Sequence, residues 1–146
     1  MTSPSKMPTK NHTLILSVNA GSSSLKISAF SPVDNFAPNS IDEPVHLLLT
    51  ASFENLTSPP ALFSFKAEGQ SVSTESRKNE HVQGVTDHES AFQHFLHFLQ
   101  QSTKFNREDI GRICHRVVHG GDYSNPVIIS SESYDHIESL SDLAPL

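Results

Sequence analysis

Apolar and polar positions alternate along this chain in two rhythms, one of period two and one near 3.6. Leu14-Ile15-Leu16-Ser17-Val18 is a short apolar run typical of a buried strand. Asn19-Ala20-Gly21-Ser22-Ser23 breaks it, and Ser24 to Phe30 then alternates. Leu25, Ile27 and Ala29 fall on one face, Ser24, Lys26 and Ser28 on the other, which predicts a β-hairpin with one face in the core and one polar. Ser31 to Pro44 carries three prolines and reads as a loop. Val45 to Phe53 and Ala61 to Phe65 read as further strands, separated by Thr57-Ser58-Pro59-Pro60, which cannot continue a ladder. Lys66 to Gly84 is polar, with Val72 and Val82 as isolated apolar points, and reads as a weak strand inside a long exposed loop.

The period lengthens after Thr86. Thr86-Asp87-His88-Glu89 fits a capping box, and Phe92, Phe95, Leu96 and Leu99 follow at helical spacing, so a helix is expected from about Asp87 to Ser102. Strand rhythm returns from Ile110 to Val118 and stops at Gly120-Gly121. A short strand at Pro126 to Ile129 and a helix over Glu132 to Leu143 complete the pattern. Strands first, then helix and strand in alternation, indicate an α/β domain with a mixed sheet. The opening residues 1–12 read as a disordered tail, leaving residues 13–146 as one domain.

Composition narrows the function classes. The 146 residues carry a net charge of -6, and the ten Lys and Arg residues are scattered. That argues against a nucleic-acid surface or an acidic membrane, both of which need clustered cations. No apolar run approaches the roughly 20 residues a membrane span needs. Cys114 is the single cysteine, so an intrachain disulfide and a cysteine-based zinc site are excluded, and a reducing compartment is compatible. Cys114 itself reads as an inert buried thiol. Nine histidines invite a metal reading, but no Cys pair or His-Glu-x-x-His pattern supplies converging ligands, so they read as structural or exposed.

Two segments carry candidate chemistry. The first, Asn19-Ala20-Gly21-Ser22-Ser23-Ser24-Leu25-Lys26, joins the first two strands. A small glycine-containing turn lets backbone amides approach an anion, three hydroxyls add donors, and Lys26 places a cation nearby. This is either a phosphate grip or an ordinary serine-rich turn. It is not a Walker A loop, which needs a glycine directly before the lysine, a Ser or Thr after it, and a following helix. The second, His115-Arg116-Val117-Val118-His119-Gly120-Gly121, puts Arg116 and Val118 on one face of a strand. A guanidinium beside an apolar wall suits a ligand with a carboxylate at one end and a methyl at the other. The alternative is an arginine held in a structural ion pair.

Together the two segments resemble the acetate kinase family. Asn19 to Lys26 is similar to its N-terminal signature without a gap, Arg116 to Gly121 to its second, and Leu143-Ala144-Pro145-Leu146 to its next segment. Asp122 stands where bacterial members usually have a glutamate, and Cys114 where they often have a glycine. The loops Ser31 to Pro44 and Lys66 to Gly84 look expanded relative to bacterial members, which points to a eukaryotic microbial relative. The resemblance implies a ribonuclease-H-like, actin-like ATPase first domain with a mixed sheet and flanking helices. It implies ATP and Mg²⁺ as cofactors, with Asn19 at the magnesium and Ser22, Ser24 and Lys26 around the phosphates. Arg116 would hold the acetate carboxylate, with Val118 and Leu146 lining the methyl pocket. It further implies a cytoplasmic enzyme that is a homodimer at full length, without nucleic-acid or membrane partners. Family members are far longer and place their other catalytic groups beyond Leu146, so the expectation is an N-terminal portion, inactive alone. A non-catalytic actin-like binding module is the alternative.

Overall fold

A computed structural model of the chain describes residues 14–68, 72 and 74–140. The expected tail over residues 1–12 and the expected pocket residue Leu146 lie outside them. The chain divides into two compact units, the first ending at Cys114 and the second beginning at His115.

The first unit is built on strands β1 (Leu14–Ala20), β2 (Leu25–Pro32), β3 (Val45–Glu54), β4 (Ala61–Ala67) and β5 (Arg77–Val82). A helix α1 (His88–Ser102), a 3-10 turn (Arg107–Asp109) and strand β6 (Ile110–His115) follow. The strands form one mixed six-stranded sheet in the order β5-β4-β3-β2-β1-β6. The first five are a meander in which consecutive strands pair antiparallel. The weak strand anticipated between Lys66 and Gly84 is β5, and Val72 and Val82, its isolated apolar points, are both buried.

Register separates the two faces of the sheet. Val18, Ile27, Ala51 and Phe65 are successive cross-strand partners, and all four are buried. Leu25, Phe53 and Phe63 form a parallel buried row. α1 covers this face with Ala91, Phe95, Phe98 and Leu99. The Phe98 ring lies 5.0 Å from Phe63 and 4.8 Å from Phe65, and His94 packs edge-on at 5.3 Å from Phe63. The phenylalanine spacing read from the sequence is thus core packing, with Phe92 only partly buried.

α1 begins one residue later than the capping pattern suggested. Asp87, not Thr86, is the cap: its carboxylate accepts from the Ser90 amide at 2.7 Å, while the Asp87 amide donates to the Ser90 hydroxyl at 3.1 Å. A carboxylate is a stronger acceptor than a hydroxyl and favours the positive end of the helix. The Ser90 hydroxyl and amide in turn hold the Asp87 carboxyl below its ordinary range.

The second unit departs more from expectation. The strand expected to run to Val118 ends at His115, and Pro126 to Ile129 forms no strand. A strand persists only where a neighbour satisfies its backbone, and among the described residues neither segment belongs to a ladder. The helix expected over Glu132 to Leu143 is α2 (Ser131–Ser139), capped by Ser130. Cys114 is exposed rather than buried, because β6 is the outermost strand and is open on both faces from Gly111 onward. Among the described residues no helix is long and apolar enough to cross a membrane.

Candidate functional site

The serine-glycine loop caps the β1–β2 hairpin. It is closed by the Gly21 amide donating to the Ser24 carbonyl at 2.8 Å. A Cβ on Gly21 would come 2.7 Å from the Ser24 hydroxyl oxygen, so the Ser24 side chain folds back over this position and would have to turn away from a larger residue.

The three serines are not equivalent. The Ser23 hydroxyl accepts from the Thr57 hydroxyl at 2.9 Å and from the Thr57 amide at 3.3 Å. The Ser23 carbonyl accepts from the Leu56 amide at 3.0 Å. Ser23 therefore ties the loop to the β3–β4 turn, leaving Ser22 and Ser24 as the hydroxyls without such a tether. A second tie comes from α1, where the His88 ring Nε2 lies 2.6 Å from the Gly21 carbonyl oxygen. Neither tether was legible in the sequence, since Thr57 and His88 lie 34 and 67 residues from their partners.

Below the loop, register brings two candidate residues together. Asn19 and Lys26 are direct cross-strand partners, which puts their side chains side by side on the polar face. The row continues through Ser52 and Ser64, and a second row runs Ser17, Ser28, Thr50, Lys66. Lys66 is engaged by Glu68, whereas no carboxylate lies within ion-pair distance of Lys26 among the described residues. Lys26, Ser28, Thr50, Ser52 and Ser64 line a groove of about 630 Å³ that opens over this face. A smaller hollow of about 220 Å³ beside Arg77, His94 and His97 contains none of the expected site residues.

The donor set fits an anion with a cation attached to it, not a protein-only metal cage. Among the described residues no group of three or more His, Cys, Asp and Glu side chains converges. Asn19 offers one hard carboxamide oxygen beside an ammonium. Mg²⁺ characteristically takes one or two protein oxygens and completes its shell with water and substrate phosphates, and Asn19 fits that pattern.

In the second unit, Arg116 and Val118 are both exposed, Val118 at 66%, in the irregular segment after β6. No strand sets them on a common face, which corrects the sequence argument that aligned them. Arg116 forms no ion pair among the described residues, which removes the structural-pair alternative within them. The glycine pair lies five residues past the end of β6 and forms a tight turn rather than the strand's exit. Gly121 has a φ of +58°, and a Cβ there would come 2.6 Å from Leu140 Cδ1. The Tyr123 amide closes the turn onto the Gly120 carbonyl at 3.0 Å.

Two solved kinases carry the same fold. The propionate kinase of Francisella tularensis matches with a TM-score of 0.68 and 29% identity, covering 92% of this chain and 30% of that one. The acetate kinase of Porphyromonas gingivalis gives 0.69 and 24%, covering 92% and 31%. Sheet, covering helix and hairpin loop thus define the first domain of an actin-like ATPase fold. Residues 14–146 match the model of the acetokinase family, and the chain belongs to that family. A probable acetate kinase of the fungus Chaetomium globosum is 39% identical over 138 residues, covering 92% of this chain. The chain spans 28% of that relative's length. A fungal relative is the kind of kinship the expanded loops suggested.

Proposed function

We propose that this chain supplies the phosphate grip and the carboxylate clamp of an acetate kinase, which transfers the γ-phosphoryl group of ATP to acetate reversibly, giving acetyl phosphate and ADP. The observation that carries the reading is the pairing of Asn19 with a Lys26 that has no ion-pair partner among the described residues, at the mouth of a loop presenting the Ser22 and Ser24 hydroxyls. Phosphoryl transfer needs positioning and charge neutralisation more than covalent help, and these groups are donors and a cation with no nucleophile among them.

In this reading Lys26 and the two hydroxyls hold the phosphate oxygens, and Asn19 holds Mg²⁺ through its carboxamide oxygen. The metal, when bound, neutralises phosphate charge. Arg116 offers two parallel donors to the acetate carboxylate, and Val118 with Leu146 walls its methyl group. Its exposure, with no ion pair to it among the described residues, supports the Arg116 guanidinium in that role. The acetate kinase names of the fungal relative and of the Porphyromonas gingivalis structure support acetate as the acceptor; a cytoplasmic location and a homodimer rest on the family alone.

The test uses the protein expressed from its complete reading frame. Acetyl phosphate should form with ATP, magnesium and acetate, and absence of acetate-dependent turnover would overturn the assignment. Arg116→Ala should lower kcat/KM for acetate by about 10- to 1,000-fold, the cost of a lost charge-assisted contact, with ATP affinity much less changed. Arg116→Lys should recover little, because an ammonium lacks the planar two-point grip. A folded Arg116→Ala enzyme that uses acetate normally removes Arg116 from the site.

A further inference from the structure

We propose that His88 is a positioning residue for the phosphate loop, acting through the Gly21 carbonyl; the proposal rests on the loop holding the phosphates of ATP. His88 is the first residue of α1, directly after the Asp87 cap, and is half-buried. Its Nε2 lies 2.6 Å from the Gly21 oxygen, across 67 residues of sequence. A carbonyl oxygen only accepts, so the ring must carry its proton on Nε2 and donate it.

The consequence follows from the planarity of the peptide group. In a trans peptide the carbonyl of one residue and the amide of the next point in opposite directions. Drawing the Gly21 carbonyl toward α1 therefore turns the Ser22 N–H away from α1. Ser22 N–H has no partner among the described residues. The Gly21 amide is already committed to Ser24, so the Gly21–Ser22 peptide plane is the remaining freedom at the loop's first corner. Glycine tolerates rotation of that plane, and a distant anchor is what removes it. The anchor is itself fixed, because the reciprocal Asp87–Ser90 bonds lock the first turn of α1. His88 thus sets the direction of a backbone donor and the entry of the Ser22 hydroxyl without touching the phosphate.

The experiment compares His88→Ala, His88→Gln and His88→Asn in the protein from the complete reading frame. The terminal amide of Gln reaches the place of Nε2; that of Asn falls short. Expected are a KM for ATP raised about tenfold in His88→Ala, the worth of one hydrogen bond, with kcat and the KM for acetate within about twofold. His88→Gln should return to within about threefold of the parent, and His88→Asn should resemble His88→Ala. The Ser22 amide resonance should shift in Ala and Asn and return in Gln. An unchanged ATP KM in a folded Ala variant, equal rises for ATP and acetate, or no rescue by Gln overturns the proposal. Should the parent not phosphorylate acetate, the proposed function fails, while the amide resonances still decide whether His88 orients the loop. Should the Ala variant not fold, the His88 ring in the parent decides: an Nε2-protonated tautomer supports the contact, an Nδ1-protonated one refutes it.

Discussion

Ser23→Ala should weaken the hold on the β3–β4 turn without removing a phosphate contact, and Ser22→Ala should do the reverse. In Ser23→Ala two acceptor contacts vanish, from the Thr57 hydroxyl at 2.9 Å and its amide at 3.3 Å, while the Leu56-to-Ser23 backbone bond remains. Both lost bonds are exposed, so water replaces them in part. Net values of about 0.5–1.5 kcal/mol per neutral bond then fall at the low end, and the longer contact contributes least. The sum is about 1 kcal/mol, which corresponds to a roughly fivefold larger open population of the turn. Amide hydrogen exchange at Leu56 and Thr57 reads that opening directly, avoiding the two-state assumption that a long multidomain chain would violate. Thr57→Val removes the hydroxyl donor, so its effect should be strongly non-additive with Ser23→Ala. Ser22→Ala should leave exchange at both amides unchanged and weaken ATP about five- to tenfold. Equal losses of ATP affinity in the two variants, with Thr57 protection intact in Ser23→Ala, would refute the division of labour among the serines.

Three further outcomes are expected. Gly21→Ala should fold with stability within about 0.5 kcal/mol, since Gly21 does not have a positive φ and the Ser24 side chain can yield, but ATP affinity should fall roughly threefold or more as that hydroxyl is displaced; titration calorimetry beside a melt checks both. Val118→Ala should improve propionate relative to acetate by about 10- to 200-fold in the ratio of kcat/KM values, and an unchanged ratio would take Val118 out of the methyl pocket. His94 has its pKa lowered by burial, then by His97, with Glu80 opposing. The unfolded chain therefore binds more protons just below the ordinary histidine value of about 6.5, so this contribution is whole above that pH and is lost as pH falls through the window below it. His94→Gln should flatten the fall in urea midpoint between about pH 7 and 5, and an unaltered slope would assign the pH dependence to other groups.

The chain's own pattern determined the hairpin, the two faces of β2, the α1 helix and the phenylalanine core, because period-two and helical spacing are local properties that burial then enforces. It also placed Asn19, the serines and Lys26 within eight consecutive residues, and the family likeness supplied their roles. Tertiary structure decided the rest. Whether Asn19 faces Lys26 depends on strand register, which a loop one residue longer would reverse. Separating Ser23 from its neighbours required the β3–β4 turn to arrive beside the loop, and His88 became visible only once α1 crossed the sheet. The strand predicted through Val118 failed for the complementary reason: alternating apolar residues propose a strand, but only a neighbouring ladder sustains one, and Arg116 and Val118 lie past its end.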